Sequence, residues 1–161
     1  MGEALIVRRG NVDNIVESLS FFGSGSGLAS GYNCTVLSSL YNSPSGVTDS
    51  VITIADCNSG REIIYFTPAV NCDKYSKITV VGKQINAGGG TGSILTVGVV
   101  DTIPTGTDNS PVFAASAVFD VAKLNTEQTL TVDLSNVDRN CYFAVCGFYM
   151  SPGSITSIVF E

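Results

Sequence analysis

From residue 32 onward the chain is a succession of short apolar runs with a period of two, each closed by a cluster of turn residues. A period of two sends successive side chains to opposite faces, so each run reads as a strand with one face toward a core. The runs are CTVLSSLY (34–41), SVITIAD (50–56), EIIYFT (62–67), SKITVVGKQI (76–85), SILTVGVVD (93–101), VFAASAVFDV (112–121), EQTLTVDL (127–134), NCYFAVCGFYM (140–150) and SITSIVFE (154–161). Val, Ile, Thr and aromatic residues fill them, and Gly, Asn and Pro punctuate them. Strands without an intervening helix predict an all-β fold, an antiparallel β-sandwich with jelly-roll topology as the first choice. In TLTVDL the alternation assigns Leu130, Val132 and Leu134 to the core and Thr129, Thr131 and Asp133 to water. The run CYFAVCGFY is apolar on both faces, which fits a central strand covered on its second side or a subunit interface.

The first thirty residues follow another pattern. Val12, Ile15, Val16 and Leu19 recur at helical spacing, Asn11 can cap, and Asp13 suits a first turn, so residues 11–20 read as a short amphipathic helix. Such a helix is marginal alone in water and needs a surface for its apolar stripe, either its own domain or the same helix of a neighbouring chain. The tract FFGSGSGLASGYN then reads as a flexible hinge or, alternatively, as a loop pinned by Phe21 and Phe22. The expected organisation is an attachment and oligomerisation segment with its hinge over 1–31 and a β-sandwich over 32–161. Leu5, Ile6 and Val7 of the opening, with Val12, Ile15, Val16 and Leu19, are the candidate oligomerisation residues.

Composition narrows the partners. The 161 residues fit one domain, and only 14% are charged against 44% hydrophobic, so Ser, Thr, Asn and Gly must cover much of the surface. A net charge of -6 with scattered basic residues disfavours nucleic acid, whose phosphates call for clustered Lys and Arg. No apolar run approaches the roughly 20 residues that cross a bilayer, so no membrane insertion is expected. The opening MGEALIVRRG has an acid first and its arginines after a short apolar run, the wrong order for a secretory signal.

Candidate chemistry is sparse. The sequence holds no His, which removes Ser-His-Asp and Cys-His nucleophiles and the commonest metal ligand. Its five cysteines have no CxxC spacing and read as reduced, small apolar side chains, with Cys141 and Cys146 on opposite faces of one strand. NAGGGTG (86–92) lacks the Lys-Ser/Thr end of a phosphate loop and precedes a strand, so it reads as a hairpin loop. Fourteen acids leave a two-carboxylate hydrolase conceivable without pairing any two of them. Asp101 and Asp108 are weak candidates for a loop Ca²⁺ site, with solvated loop acids the favoured reading. No cofactor is called for. Sugar binding suits the composition better, because a pyranose stacks its apolar face on an aromatic ring and meets Asn with its hydroxyls. Tyr32, Asn33, Tyr41, Asn42 and Tyr149 are the candidate glycan-binding residues, each with an alternative role as a rim tyrosine or its neighbour.

The opening MGEALIVRRG resembles the starts of small tail-associated structural proteins of phages and prophages of Gram-positive bacteria. YSKITVVGK and SITSIVFE are similar to strands of carbohydrate-binding jelly-roll modules in such proteins. The resemblance implies a non-enzymatic virion component, made in the bacterial cytoplasm, that attaches to other tail proteins. It also implies homotrimers and a distal β-domain that meets a host-surface glycan. The strong match covers an attachment region, so no binding residue is carried over. A long repetitive shaft is missing, which leaves a fibre tip, a baseplate accessory and an unassigned prophage product all open.

Overall fold

The computed structural model describes residues 18–23, 25–88 and 92–161. Within them the chain forms β1 (Leu19–Phe22), β2 (Asn33–Ser38), β3 (Gly46–Val47), β4 (Ile52–Ile54), β5 (Arg61–Thr67) and β6 (Val70–Asn71). β7 (Lys77–Gln84), β8 (Leu95–Val100), β9 (Phe113–Val118), β10 (Gln128–Asp133), β11 (Asn140–Phe148) and β12 (Gly153–Phe160) complete it. All nine expected runs contain a strand, and β1, β3 and β6 are short additions.

Two antiparallel sheets pack as a sandwich. One runs β10-β7-β12-β4-β3, with β1 beside β12, and the other β2-β5-β11-β8-β9, with β6 beside β11. β12 and β11 each serve two partners end to end on one edge. β12 pairs β4 through Gly153–Ile155 and β1 through Ile158–Phe160, while β11 pairs β5 through Ala144–Phe148 and β6 through Asn140 and Cys141.

The alternation works as the sequence dictates. In β7, Ile78 and Val80 are buried and their neighbours are partly exposed. In β10, Val132 is buried and Leu130 packs on the core, while Thr129, Thr131 and Asp133 are exposed or partly so. β11 is central in its sheet, and its second face is covered: Ala144 and Cys146 are buried outside the main core. The cover is the segment between β8 and β9. Arg61 of β5 donates to the Thr107 and Asp108 carbonyls at 3.2 and 2.8 Å and to Ser110 Oγ at 2.8 Å, holding that segment across the outer face.

The N-terminal reading needs correction at Leu19. It is a strand residue opposite Phe160, not the last member of a helical stripe, and Ser20 sits opposite Val159. Residues 11–17 of the expected helix, and Leu5, Ile6, Val7, Val12, Ile15 and Val16, lie outside the described residues. Phe21 and Phe22 have no exposed surface. The Phe21 ring meets Tyr32, Phe66, Phe160 and Phe143 at centroid distances of 4.7, 5.4, 5.5 and 5.8 Å. The physical reason for strand over helix is this burial, since a β-ladder on β12 satisfies the backbone while both rings enter the core. Gly23 follows at φ 119°, where an added Cβ would stand 2.6 Å from the Thr156 carbonyl. Of the two readings of the Phe-Phe-Gly tract, the pinned loop matches this packing, and the sandwich starts ahead of residue 32.

Candidate functional site

Strand direction gathers the described residues of five connections at one end of the sandwich: 39–45, 55–60, 85–88 with 92–94, 119–127 and 149–152. The registers Arg61 to Phe148, Leu95 to Gly147 and Gly153 to Gln84 place them there. Tyr41, Asn42 and Tyr149 belong to this loop end. Tyr32 and Asn33 enter β2 at the opposite end, where Asn33 faces Thr67. The five expected glycan residues therefore form no single site. Tyr32 stacks edge-on against Phe21, and burial, with a smaller contribution from Cys72, pushes its hydroxyl above the usual tyrosine range.

The loop carrying Tyr41 is built on a buried acid. Glu62, the second residue of β5, has no exposed surface, and its carboxylate accepts from three serine hydroxyls. Ser43 and Ser45 donate to Oε2 at 2.6 and 2.5 Å, and Ser38 donates to Oε1. Ser45 Oγ in turn accepts from the Ala55 N–H at 2.8 Å, tying the loop to the end of β4. A buried carboxylate is costly unless its lone pairs are filled, and three hydroxyls fill them here. The result is a fixed base beneath Tyr41, whose side chain is 94% exposed.

Ser39 links this loop to the next one through Ser39 Oγ to the Ser59 carbonyl at 3.0 Å. The contact requires a glycine at 60, because at φ 94° a Cβ would come within 2.8 Å of the Ser39 Cβ. From the other side, the Tyr149 N–H donates to the Gly60 carbonyl and the Met150 N–H to the Cys57 carbonyl. The loop that carries Tyr41 and the segment that carries Tyr149 thus both bond to the 57–60 turn. Tyr149 is 40% exposed, and its ring lies 6.2 Å from that of Phe148. Beneath it the Arg61 guanidinium sits 4.5 Å over the Phe148 ring. Arg61 is spent on this ring and on the 107–110 carbonyl and hydroxyl groups, so it is not poised for an anion.

Among the described residues, the non-glycine positions with positive φ are Asn42, Asn125, Tyr149 and Met150, and all four lie at the loop end. For a bulky residue this backbone is strained, and strain of that kind survives only where surrounding contacts fix it. Sequence reading missed Glu62, Arg61 and Ser38. The available signal was a Glu in phase with Ile64 and Phe66, one strand away from a serine-rich loop.

The remaining candidates lie elsewhere. Asp101 gives both oxygens to Arg139 at 2.8 and 3.0 Å, and this guanidinium, with the Cys141 thiol, holds its carboxyl below the usual aspartate range. The Asp108 carbonyl accepts from Arg61, and Asp108 lines a hollow of about 330 Å³ formed by residues 102–106 and 108–111. Among the described residues no three His, Cys, Asp or Glu side chains cluster as a metal site. All five cysteines are free thiols. Cys141 belongs to the main core and Cys146 to the opposite face, and burial pushes them up to about 12 and about 11. No described helix is long and apolar enough to cross a membrane. No family model matches the chain, and no curated protein matches its sequence.

Proposed function

We propose that the protein is a non-enzymatic recognition module of a phage or prophage tail whose jelly-roll body binds a bacterial surface glycan through Tyr41, Asn42 and Tyr149. The observation that carries the reading is Tyr41, a nearly fully exposed aromatic on a loop whose base is locked by buried Glu62. A rigid exposed ring leaves apolar area in water, at a cost near 25 cal/mol per Å², and a sugar face can cover it without first ordering the loop. Asn42 beside it supplies a donor and an acceptor for hydroxyls. Glu62 has no surface from which to protonate a leaving group, which favours binding over two-carboxylate hydrolysis.

Membership of the tail rests on the resemblance of the opening. On this reading residues 1–17 attach the module to other tail proteins and to two further copies of itself in the virion. The experiment is a glycan array that includes bacterial wall and capsule polysaccharides, probed with the wild-type protein and with Tyr41→Ala and Tyr149→Ala. Binding that weakens about tenfold in each variant is expected, from the loss of one stacking contact. No binding, or unchanged binding in both, counts against the site. Light scattering of the full chain separates a trimer from a free-standing monomeric carbohydrate-binding module.

A further inference from the structure

We propose that Cys72 and Cys141 form a cross-linking site, a thiol pair that the fold brings together to close as a disulfide when the chain folds in the presence of oxidised glutathione. The pair lies at the pole of the sandwich opposite Tyr41, where β11 begins, and it is independent of the glycan reading.

The β6–β11 ladder places the two side chains. Val70 stands opposite Cys141 and Asn71 opposite Asn140, and the Cys72 N–H extends the pairing by donating to the Arg139 carbonyl at 3.1 Å. Cys72 and Cys141 are therefore diagonal neighbours on two antiparallel segments. Val70, Cys72 and Cys141 all enter the main core, so both thiols share one face, where diagonal side chains reach each other. The two thiols are in hydrogen-bond contact, and neither residue has exposed surface. Cys72 begins the short 3₁₀ turn Cys72–Lys74, past the last ladder pair, so it can shift toward β11 with no strand pair broken.

The surroundings tolerate closure. In the open pair the Cys141 thiol donates to Asp101 Oδ1 at 3.3 Å. Once that hydrogen is gone, Asp101 keeps both bonds to Arg139, so no polar group is orphaned. The other thiols are engaged elsewhere. Cys57 donates to the Gly60 carbonyl at 3.6 Å, Cys146 hydrogen-bonds to Ser110 on the far face of β11, and Cys34 lies on the edge strand β2.

In the first step one cysteine thiolate attacks a glutathione sulfur, the glutathione S–S bond breaks, and one glutathione leaves as a thiolate that takes up a proton. In the second step the other cysteine attacks the protein sulfur of the mixed disulfide and expels the second glutathione. The protein gives up two electrons and two protons, and one glutathione disulfide becomes two thiols. Both cysteines are buried once folded, so the exchange runs while the chain folds, and the native contact between the sulfurs selects the pair.

The test is refolding of the full chain from urea with reduced and oxidised glutathione, followed by alkylation in urea and peptide mapping by mass spectrometry. Expected is one intramolecular disulfide between the Cys72 and Cys141 peptides, with Cys34, Cys57 and Cys146 alkylated. Oxidation of the chain kept in urea should instead give a mixture of pairings, because only the fold brings these two together. The cross-link closes a loop of about 70 residues, so the melting temperature should rise by roughly 10 °C over the reduced protein. Cys72→Ala should lose this rise, and Cys57→Ala should keep it. The map is made on the wild-type chain, so the pairing is read even if Cys72→Ala does not fold. No disulfide after refolding, a different pair, or a cross-linked protein that melts no higher than the reduced one would overturn the proposal.

Discussion

Glu62 is the residue on which the loop end depends. Glu62→Ala leaves the Ser38, Ser43 and Ser45 hydroxyls facing a cavity, and we expect a loss of about 2–4 kcal/mol in urea unfolding. The same variant should lose glycan binding beyond its stability loss, because Tyr41 stands on that loop. Phe21 makes a parallel case in the core. Phe21→Ala should cost about 3–5 kcal/mol, whereas a true hinge residue would cost almost nothing. The thiols give a chemical readout at the same scale. Burial raises Cys34, Cys141 and Cys146 to about 11, 12 and 11, so each is protonated at neutral pH. Iodoacetamide should therefore label the native protein far more slowly than the urea-unfolded chain. Equal rates would contradict the burial.

At the scale of elements, the strands were legible because each needs only its own alternation, and loop clamps were not because they act across the chain. Glu62, Gln84 and Gln128 share one pattern. Each is polar, stands at a strand end in phase with buried apolar residues, and turns its side chain to the backbone or hydroxyls of a neighbouring loop. A sequence shows the phase, but not which loop the side chain serves. The cover over β11 is a second such case, since CYFAVCGFY left open whether a chain segment or a subunit hides its outer face. Arg61 decides for the 101–112 segment by bonding to Thr107, Asp108 and Ser110. Arg61→Ala should release that segment and speed alkylation of Cys146 several-fold, with Cys72 in the main core unchanged as the internal control. The five proposed glycan residues were split for the same reason: Tyr32 and Tyr41 bracket one strand, and a strand carries its two ends to opposite poles of the sandwich.

For the whole molecule, two carboxylates make a small contribution to acid stability. Asp101 is held low by Arg139 and Cys141, and Asp133 by the Ser135 N–H and hydroxyl. A folded value below the ordinary 3.8 means the unfolded chain takes up protons first, so the stabilisation is complete above that value. It disappears as pH falls through the folded values. The melting temperature should therefore hold from neutrality to about pH 5 and decline slightly below about pH 4 from these two groups, and Arg139→Gln should remove part of that small decline. Because the Arg139 pair is solvent-exposed, its contribution at neutral pH should be small. Deleting residues 1–17 should leave the melting temperature unchanged and lower the mass seen by light scattering. A deletion extended through Phe22 should unfold the chain, since β1 and two core rings go with it. By itself the sequence determined the fold class, most of the strands and their inward faces, because alternation is a local code read within a few residues. Only the tertiary structure decided that Leu19–Phe22 is a strand, that Glu62 faces serines, and that Tyr41 and Tyr149 share one end. Those outcomes depend on contacts between segments far apart in the chain, and no local period encodes them.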